Sequence, residues 1–249
     1  MELTTIGIAS RTLKKEMKKT RRKKIMAWIW KTGLKIVLLL FCLTLIQVVA
    51  LKFINPPITP NIAWEWAESI LKKQPEKRPR YRFKKIEAIS PHLRRAVIAA
   101  EDQRFLSHNG FDFNEIKNAV QTVFTKKKLR GASTISMQTA RSVFLLSSRS
   151  LFRKTAEIYY TVLIEVFWDK QRILEMYLNT VDWGTGVTGA EAASQKYFSK
   201  SAQHLTPFQA ALMTAVLPNP HKWSVNNPSV YLRIRQAQIL KDMYLMPLL

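Results

Sequence analysis

A run of 16 residues without a formal charge, Ile36–Leu51, constrains this chain more than any other stretch of its sequence. Most of these residues are Leu, Ile, Val or Phe, and a helix needs about 20 apolar residues to cross a bilayer. Lys35 and Lys52 flank the run, and their long side chains can reach the two interfaces, which extends the usable span to Thr32–Phe53. The sequence therefore predicts a transmembrane anchor, with bounds of 28–53.

Residues on either side of this run favour a retained span. Trp28 and Trp30 lie where an interfacial aromatic belt is expected. A buried core helix and a cleaved signal peptide are the alternatives. No small-x-small cleavage site follows the run, and Pro56-Pro57 comes instead, which disfavours the signal peptide.

The net charge of +23 has two sources. Residues 1–35 hold 11 Lys or Arg and two acids, and so supply +9, while the rest of the chain supplies +14. By the positive-inside rule the basic tail is cytoplasmic and the chain after the span is extracytoplasmic, which predicts a single-pass protein of the cytoplasmic (inner) membrane. Nucleic acid is then a poor partner for the downstream charge, and lipid headgroups or a lipid-linked phosphate are expected.

Apolar residues make up 47% of the chain, enough for a sizeable core, and the lone Cys42 excludes an intramolecular disulfide. The pattern after Ile86 is helical nearly throughout, with a break near Asp169 and an N-cap at Thr206-Pro207. We predict a basic cytoplasmic tail, the anchor, a membrane-proximal linker and one mainly α domain, over 1–27, 28–53, 54–85 and 86–249.

The first candidate site is Glu101, which with Asp102 follows the apolar run Ala96–Ala100. Apolar neighbours disfavour the charged form of a carboxylate and raise its pKa, which suits a general acid or base. An acidic pair at a helix end is, however, more often a solvated terminus.

Two further segments carry candidate anion-binding groups. Gly131 is followed by small hydroxyl residues that resemble a helix start, whose backbone N–H groups would be free to meet an anion. In the segment 149–157, Arg153 and Glu157 share a helix face and predict a structural ion pair. Three cations beside a carboxylate could equally hold a diphosphate.

These segments, in this order, resemble the conserved blocks of the peptidoglycan glycosyltransferases, which occur alone or fused to penicillin-binding transpeptidases. Two more blocks follow in register, at 170–198 and 210–220. The resemblance covers roughly 95–220 and is nearest to the monofunctional form. It implies a mainly α, lysozyme-like helical glycosyltransferase domain preceded by a single N-terminal transmembrane helix.

The resemblance also implies the reaction and its residues. The family polymerises lipid II into β-1,4 glycan strands by inverting displacement of a polyprenyl diphosphate, in cell wall biosynthesis. Carried over, Glu101 is the base and Glu157 assists the leaving group, directly or through a divalent cation (Mg²⁺ or Mn²⁺). No organic cofactor is implied. The expected substrate-binding residues are Asp102, Phe105, His108, Ser133, Thr134, Gln138, Arg141, Arg149, Arg153 and Lys154.

One position departs from the family pattern, since Met137 stands where the first of two adjacent glutamines is usual. Met donates no hydrogen bond, so we expect altered efficiency rather than loss of activity. Two other readings stay open: a lysozyme-like glycan-cleaving enzyme, and an inactive membrane scaffold of the same fold. The resemblance implies as partners lipid II, the growing lipid-linked glycan strand, membrane lipids, transpeptidases and other cell wall synthesis proteins.

Overall fold

A computed structural model describes residues 2–126, 133–146 and 150–249 of the chain. Over these residues the chain forms ten α-helices and two very short strands, so the prediction of a mainly α protein is confirmed. The chain divides into two compact units, one ending at Ala50 and the other spanning Leu51–Leu249.

The first unit is formed by α1, which runs from Glu2 to Phe53. Its segment Ile25–Phe53 is long and apolar enough to cross a membrane, by length and composition. Only 6% of its most apolar window is buried. A core helix would be mostly buried, so that alternative does not fit, and the exposed apolar surface is what a lipid-facing helix requires.

The second unit contains the other nine of these helices. Each of α2, α3 and α9 begins with a proline after a capping Thr or Ser, which suits the first helical position because proline lacks an N–H. Their bounds are α2 Pro60–Leu71, α3 Pro91–Glu101, α4 Phe113–Lys126, α5 Ile135–Phe144, α6 Leu151–Phe167, α7 Lys170–Thr180, α8 Ala190–Phe198, α9 Pro207–Ala215 and α10 Val230–Asp242.

Local sequence signals predicted several of these helix ends correctly. The break expected near Asp169 separates α6 from α7, and the Asp169 carboxylate accepts a hydrogen bond from the backbone N–H of Arg172. Thr206 caps α9 through a reciprocal capping box with Gln209. These caps satisfy backbone donors that a helix start otherwise leaves unpaired.

The membrane-proximal segment 54–85 folds as part of the second unit rather than as a free linker. The strand β1 (Arg80–Tyr81) pairs in parallel with β2 (Val187–Thr188). The side-chain amide of Asn179 then holds both backbone groups of Lys84, accepting from its N–H at 2.7 Å and donating to its carbonyl at 2.8 Å. These contacts join the segment to α7 before α3 begins.

The core of the second unit is built from two packed groups of helices. In one, α3 packs on α9 and α10, and in the other, α5 packs on α6 and α7. Leu93, Ile135 and Ile164 are fully buried within these contacts. Each such side chain contributes roughly 1.5–3 kcal/mol of burial free energy. The site described below lies where the end of α3 meets the start of α5.

We predict that Gly189→Ala strongly destabilises the second unit. Gly189 has φ +86°, and a Cβ atom there would lie 2.5 Å from the backbone carbonyl oxygen of Asn179. The substitution should lower the free energy of unfolding by at least about 2 kcal/mol. Gly33→Ala, in α1 with no atom within 4 Å of the added Cβ, is the matched control. Equal thermal unfolding midpoints for the two variants in detergent would contradict this account.

Candidate active site

Glu101 is the last residue of α3 and lies in a cleft of about 570 Å³. The cleft is lined by the end of α3 and the turn after it, by the start of α4, by α5, by the 217–218 turn and by α10. The lining residues are Ala99, Ala100, Glu101, Asp102, Gln103, Arg104, Asp112, Glu115, Ser133, Thr134, Gln138, Arg141, Leu217, Pro218 and Arg235.

The Glu101 carboxylate is mostly buried, with 12% of its side chain exposed. Gln138 Nε2 donates to Glu101 Oε2 at 3.0 Å, and Arg235 Nη2 lies 3.6 Å from Oε1. Oε1 accepts no hydrogen bond from the described part of the chain. Desolvation by burial raises the pKa of Glu101, while the Gln138 hydrogen bond and the charges of Arg235 and Arg141 partly oppose that rise.

The side-chain amide of Gln138 is itself held in place by a buried tyrosine. Tyr177, a fully buried residue of α7, has its hydroxyl 3.4 Å from Gln138 Oε1, in position to donate to it. Burial raises the pKa of Tyr177 well above its ordinary value, with the charge of Glu101 adding to the effect. The phenol therefore stays a donor, and the Gln138 amide turns its N–H toward Glu101.

Asp102 joins the end of α3 to the start of α5. Its Oδ2 accepts from the backbone N–H of Ile135 at 3.0 Å, and His108 Nε2 donates to both of its oxygens at 2.9 and 3.0 Å. Thr134, the N-cap of α5, donates to the carbonyl of Gly110 at 2.6 Å. The loop between Asp102 and Gly110 is thus closed against α5 at both of its ends.

A buried layer beneath this loop fixes it further. Phe105 is fully buried, and Lys170 Nζ lies 4.7 Å from the centre of its ring. Lys170 also donates to the His108 carbonyl at 2.7 Å and to Glu165 Oε1 at 2.8 Å. Ser136 donates to the same Glu165 oxygen. The side chains of Phe105 and His108, which were expected at the substrate, are therefore buried by the packing of this loop and are absent from the cleft lining.

Glu157 forms a second charged cluster with Arg153 and Lys154 on α6. Arg153 Nη1 donates to Glu157 Oε2 at 2.9 Å, and Lys154 Nζ donates to Oε1 at 2.7 Å, so the predicted Arg153–Glu157 ion pair is confirmed. The Glu157 side chain is 0% exposed. These three residues do not line the Glu101 cleft as the described residues form it. Arg149, expected beside them, lies outside the described residues.

The helix start at α5 differs from expectation in one respect. Ser133, Thr134, Gln138 and Arg141 do line the cleft. The prediction that N–H groups at the start of α5 are free to meet an anion is wrong for two of them, because Asp102 accepts from the N–H of Ile135 and Thr134 Oγ1 accepts from the N–H of Met137. The sequence could not show that a distant carboxylate occupies this position.

A divalent cation does not fit Glu157 as it is arranged here. Both of its oxygens already accept from cationic side chains, and it is completely buried. Among the described residues, one cluster contains three side chains of the types that bind metal ions: Asp102, His108 and Asp112. Asp112 there caps α4 and lies 3.4 Å from an Arg104 nitrogen, while Asp102 already accepts from Ile135 and His108. Both oxygens of Asp102 and Oδ1 of Asp112 are thus engaged within the protein, whereas His108 Nδ1 has no partner among the described residues.

Arg235 is a site residue that the sequence analysis missed. The motif blocks end near residue 220, whereas Arg235 lies on α10. One signal could have found it: the spacing places Arg235 on the same helix face as the buried Leu232 and Ile239. An arginine on the apolar face of a helix indicates a buried anionic partner.

Met137 points away from the cleft. Its side chain is 6% exposed and belongs to the buried face of α5, whereas its neighbour Gln138 contacts Glu101. The expected change in efficiency at this position remains a prediction.

Comparison with known proteins gives a consistent result. A family model described as Transglycosylase matches residues 67–244. A protein from Shewanella oneidensis named "Biosynthetic peptidoglycan transglycosylase" is 45% identical over 223 residues, which cover 89% of this chain and 92% of that protein. Proteins of the same name from Bdellovibrio bacteriovorus and Chromohalobacter salexigens are 43% and 51% identical, over 89% and 63% of this chain and 87% and 67% of their own lengths.

We predict that Glu101→Gln stabilises the protein at neutral pH. The pKa of Glu101 is higher in the folded than in the unfolded chain, so between these two pKa values the folded protein binds more protons than the unfolded one. The free energy of unfolding therefore falls as the pH rises from the unfolded pKa to the folded pKa. Glutamine removes this penalty. The thermal unfolding midpoint should rise at neutral pH, and the gain should vanish below the ordinary glutamate value of 4.5.

The exposed Glu76 supplies the control, since Glu76→Gln should leave the midpoint unchanged at every pH. A lower midpoint for Glu101→Gln at neutral pH would show that the carboxylate stabilises the fold, contrary to this account.

Proposed function

Since the chain belongs to the transglycosylase family, we propose that the cleft at Glu101 is where it joins lipid-linked disaccharides into glycan strands. Peptidoglycan transglycosylase function in cell wall synthesis follows from the family and from the names of the relatives. The carrying observation for the site is a desolvated carboxylate, Glu101, which lies in a cleft lined by arginines and whose Oε1 accepts no hydrogen bond from the described residues.

In the proposed reaction Glu101 is the general base. It takes the proton of the acceptor 4-hydroxyl while that oxygen attacks the anomeric carbon of the lipid-linked donor. The bond from this carbon to the diphosphate breaks, and its electron pair leaves with the diphosphate. One inverting displacement turns the α-linked diphosphate into a β-1,4 bond. A base with a raised pKa accepts the proton more strongly, provided that it is ionised at the working pH.

Cations near the cleft are proposed to stabilise the leaving diphosphate. Arg141 and Arg235 line the cleft together with Glu101. The other proposed cations are Arg153 and Lys154, in the first turn of α6, and Arg149, which precedes that helix in the sequence. Fixed positive groups aimed at charge that develops in the transition state contribute several kcal/mol in a dry site. Glu157, held by Arg153 and Lys154, is proposed to orient these two cations. Its buried pairing favours this over direct protonation of the leaving group.

The remaining expected site residues are assigned supporting roles. Asp102, Phe105 and His108 are proposed to hold the loop that follows Glu101, and Gln138 to orient the Glu101 carboxylate. Ser133 and Thr134 are proposed to contact the substrate at the rim of the cleft. A divalent cation takes no step in this proposal.

We propose that the reaction takes place on the outer side of the cytoplasmic membrane. The apolar helix within α1 is a candidate anchor. With the basic tail cytoplasmic, the catalytic unit is extracytoplasmic, where lipid II and the growing strand present their diphosphates. Transpeptidases, which cross-link such strands, are the proposed protein partners, and nucleic acid is not.

We predict that Glu101→Gln lowers polymerisation of lipid II by at least about 100-fold, because glutamine cannot accept the proton. The measurement is glycan polymer formed from labelled lipid II by full-length protein in detergent. The control is Glu115→Gln, which changes a carboxylate of the same cleft and should retain activity within a few-fold.

Three results would count against the proposal. Equal losses for the two variants would mean that cleft charge, not Glu101, is required. Intact lipid II together with shortened pre-formed glycan would identify a lysozyme-like cleaving enzyme. Protein that folds normally but forms no polymer under any condition would indicate an inactive scaffold.

A further inference from the structure

The helix α2 begins only a few residues after the end of α1 in the sequence. Pro60 comes seven residues after Phe53, which spans at most about 25 Å of extended chain. The intervening segment is fixed to the second unit, since Arg172 donates to the carbonyl of Ile54 at 3.0 Å and Tyr81 donates to the carbonyl of Pro56 at 2.8 Å. If α1 crosses a bilayer, α2 therefore starts within reach of its surface.

The faces of α2 differ sharply in chemistry. Ile62 and Ser69 are buried against the second unit. The opposite face exposes apolar side chains, and at 100° per residue they occupy an arc of about 160° that contains no charge. This outer face consists of Trp64, Trp66, Ala67, Ile70 and Leu71, and its large side chains are 59%, 51%, 44% and 83% exposed for Trp64, Trp66, Ile70 and Leu71.

The composition around the outer face indicates what covers it. Tryptophan, with an apolar ring and one polar N–H, is typical of the headgroup level of a bilayer. Immediately after α2 come exposed basic side chains at Lys73, Lys77, Arg78 and Arg80. An amphipathic helix with exposed tryptophans and adjacent cations matches an interfacial helix on anionic lipid.

The inner side of α2 connects this surface to the cleft. α2 contacts α5, which carries Gln138 and Arg141. The same helix that presents the apolar outer face therefore supports the helix that holds the Glu101 carboxylate.

We propose that α2 lies flat in the interface of the bilayer, with its outer face among the lipid acyl chains and the basic residues after it on anionic headgroups. This makes a second membrane contact, separate from the span. Its catalytic consequence rests on the proposed function: the contact holds the α5 side of the cleft at the surface from which lipid-linked diphosphates project.

Spin labels on two adjacent residues test the contact without any catalysis. In full-length protein carrying Cys42→Ser, Ala67→Cys places the label on the outer face and Glu68→Cys places it on the polar flank. In nanodiscs with anionic lipid, the label at 67 should collide with oxygen and be shielded from a water-soluble nickel complex. The label at 68 should show the reverse.

Two outcomes of this experiment overturn the proposal. Equal nickel accessibility at both positions would place α2 in water. Shielding of the label at 67 from both oxygen and nickel would mean that protein, such as a second copy of the chain, covers the outer face.

The catalytic consequence has its own test and matched control. The double substitution Trp66→Gln with Ile70→Gln should reduce polymerisation several-fold when lipid II is in vesicles, yet leave it unchanged for a short-chain analogue in detergent. The control replaces two more exposed apolar residues elsewhere, Val230→Gln with Leu245→Gln, and should retain both activities. Equal loss in both assays for the α2 variant contradicts an interfacial role. No activity in any variant would instead refute the proposed function.

Discussion

The carboxylate of Asp102 joins two groups of packed helices at the point where the site is formed. It follows Glu101 directly, and it accepts from the first N–H of α5, 33 residues further along the chain. Because Gln138 lies one turn into α5, this hydrogen bond helps to place the Gln138 amide against Glu101. Without Asp102 the buried N–H of Ile135 would lack a partner, at a cost of about 1–3 kcal/mol. His108, Lys170 and Phe105 then hold the loop around that contact.

The two carboxylates that the family resemblance singled out lie in opposite environments. Both oxygens of Glu157 are bonded to cations, whereas one oxygen of Glu101 accepts only from Gln138 and the other accepts from no described residue. Burial without full compensation costs stability, and functional sites commonly bear such a cost. The contrast supports the proposal that Glu101 transfers the proton and that Glu157 orders the cations. The proposed interfacial position of α2 adds a further constraint, since α2 contacts α5.

The sequence was sufficient for features governed by local chemistry. Caps and prolines predicted the helix ends at Asp169 and Thr206. The acidic pair after an apolar run made Glu101 a candidate, and the family resemblance selected it. The sequence was insufficient to predict contacts between segments that lie far apart along the chain. Nothing local to Arg80 indicates pairing with Val187, and nothing near Ile135 indicates that Asp102 occupies its N–H. Arg235 was missed for the same reason, because its partner Glu101 lies more than 130 residues earlier in the chain.

The central claim is that Glu101 is a desolvated carboxylate poised to accept a proton. Infrared titration of the full-length protein tests it most directly, with the Glu101→Gln spectrum subtracted to isolate the carboxyl band of this residue. The account predicts a protonated band that persists above the ordinary glutamate pKa of 4.5 and that persists to still higher pH in Gln138→Ala, which lacks the hydrogen bond opposing the rise. A band that titrates at or below the ordinary value would contradict it.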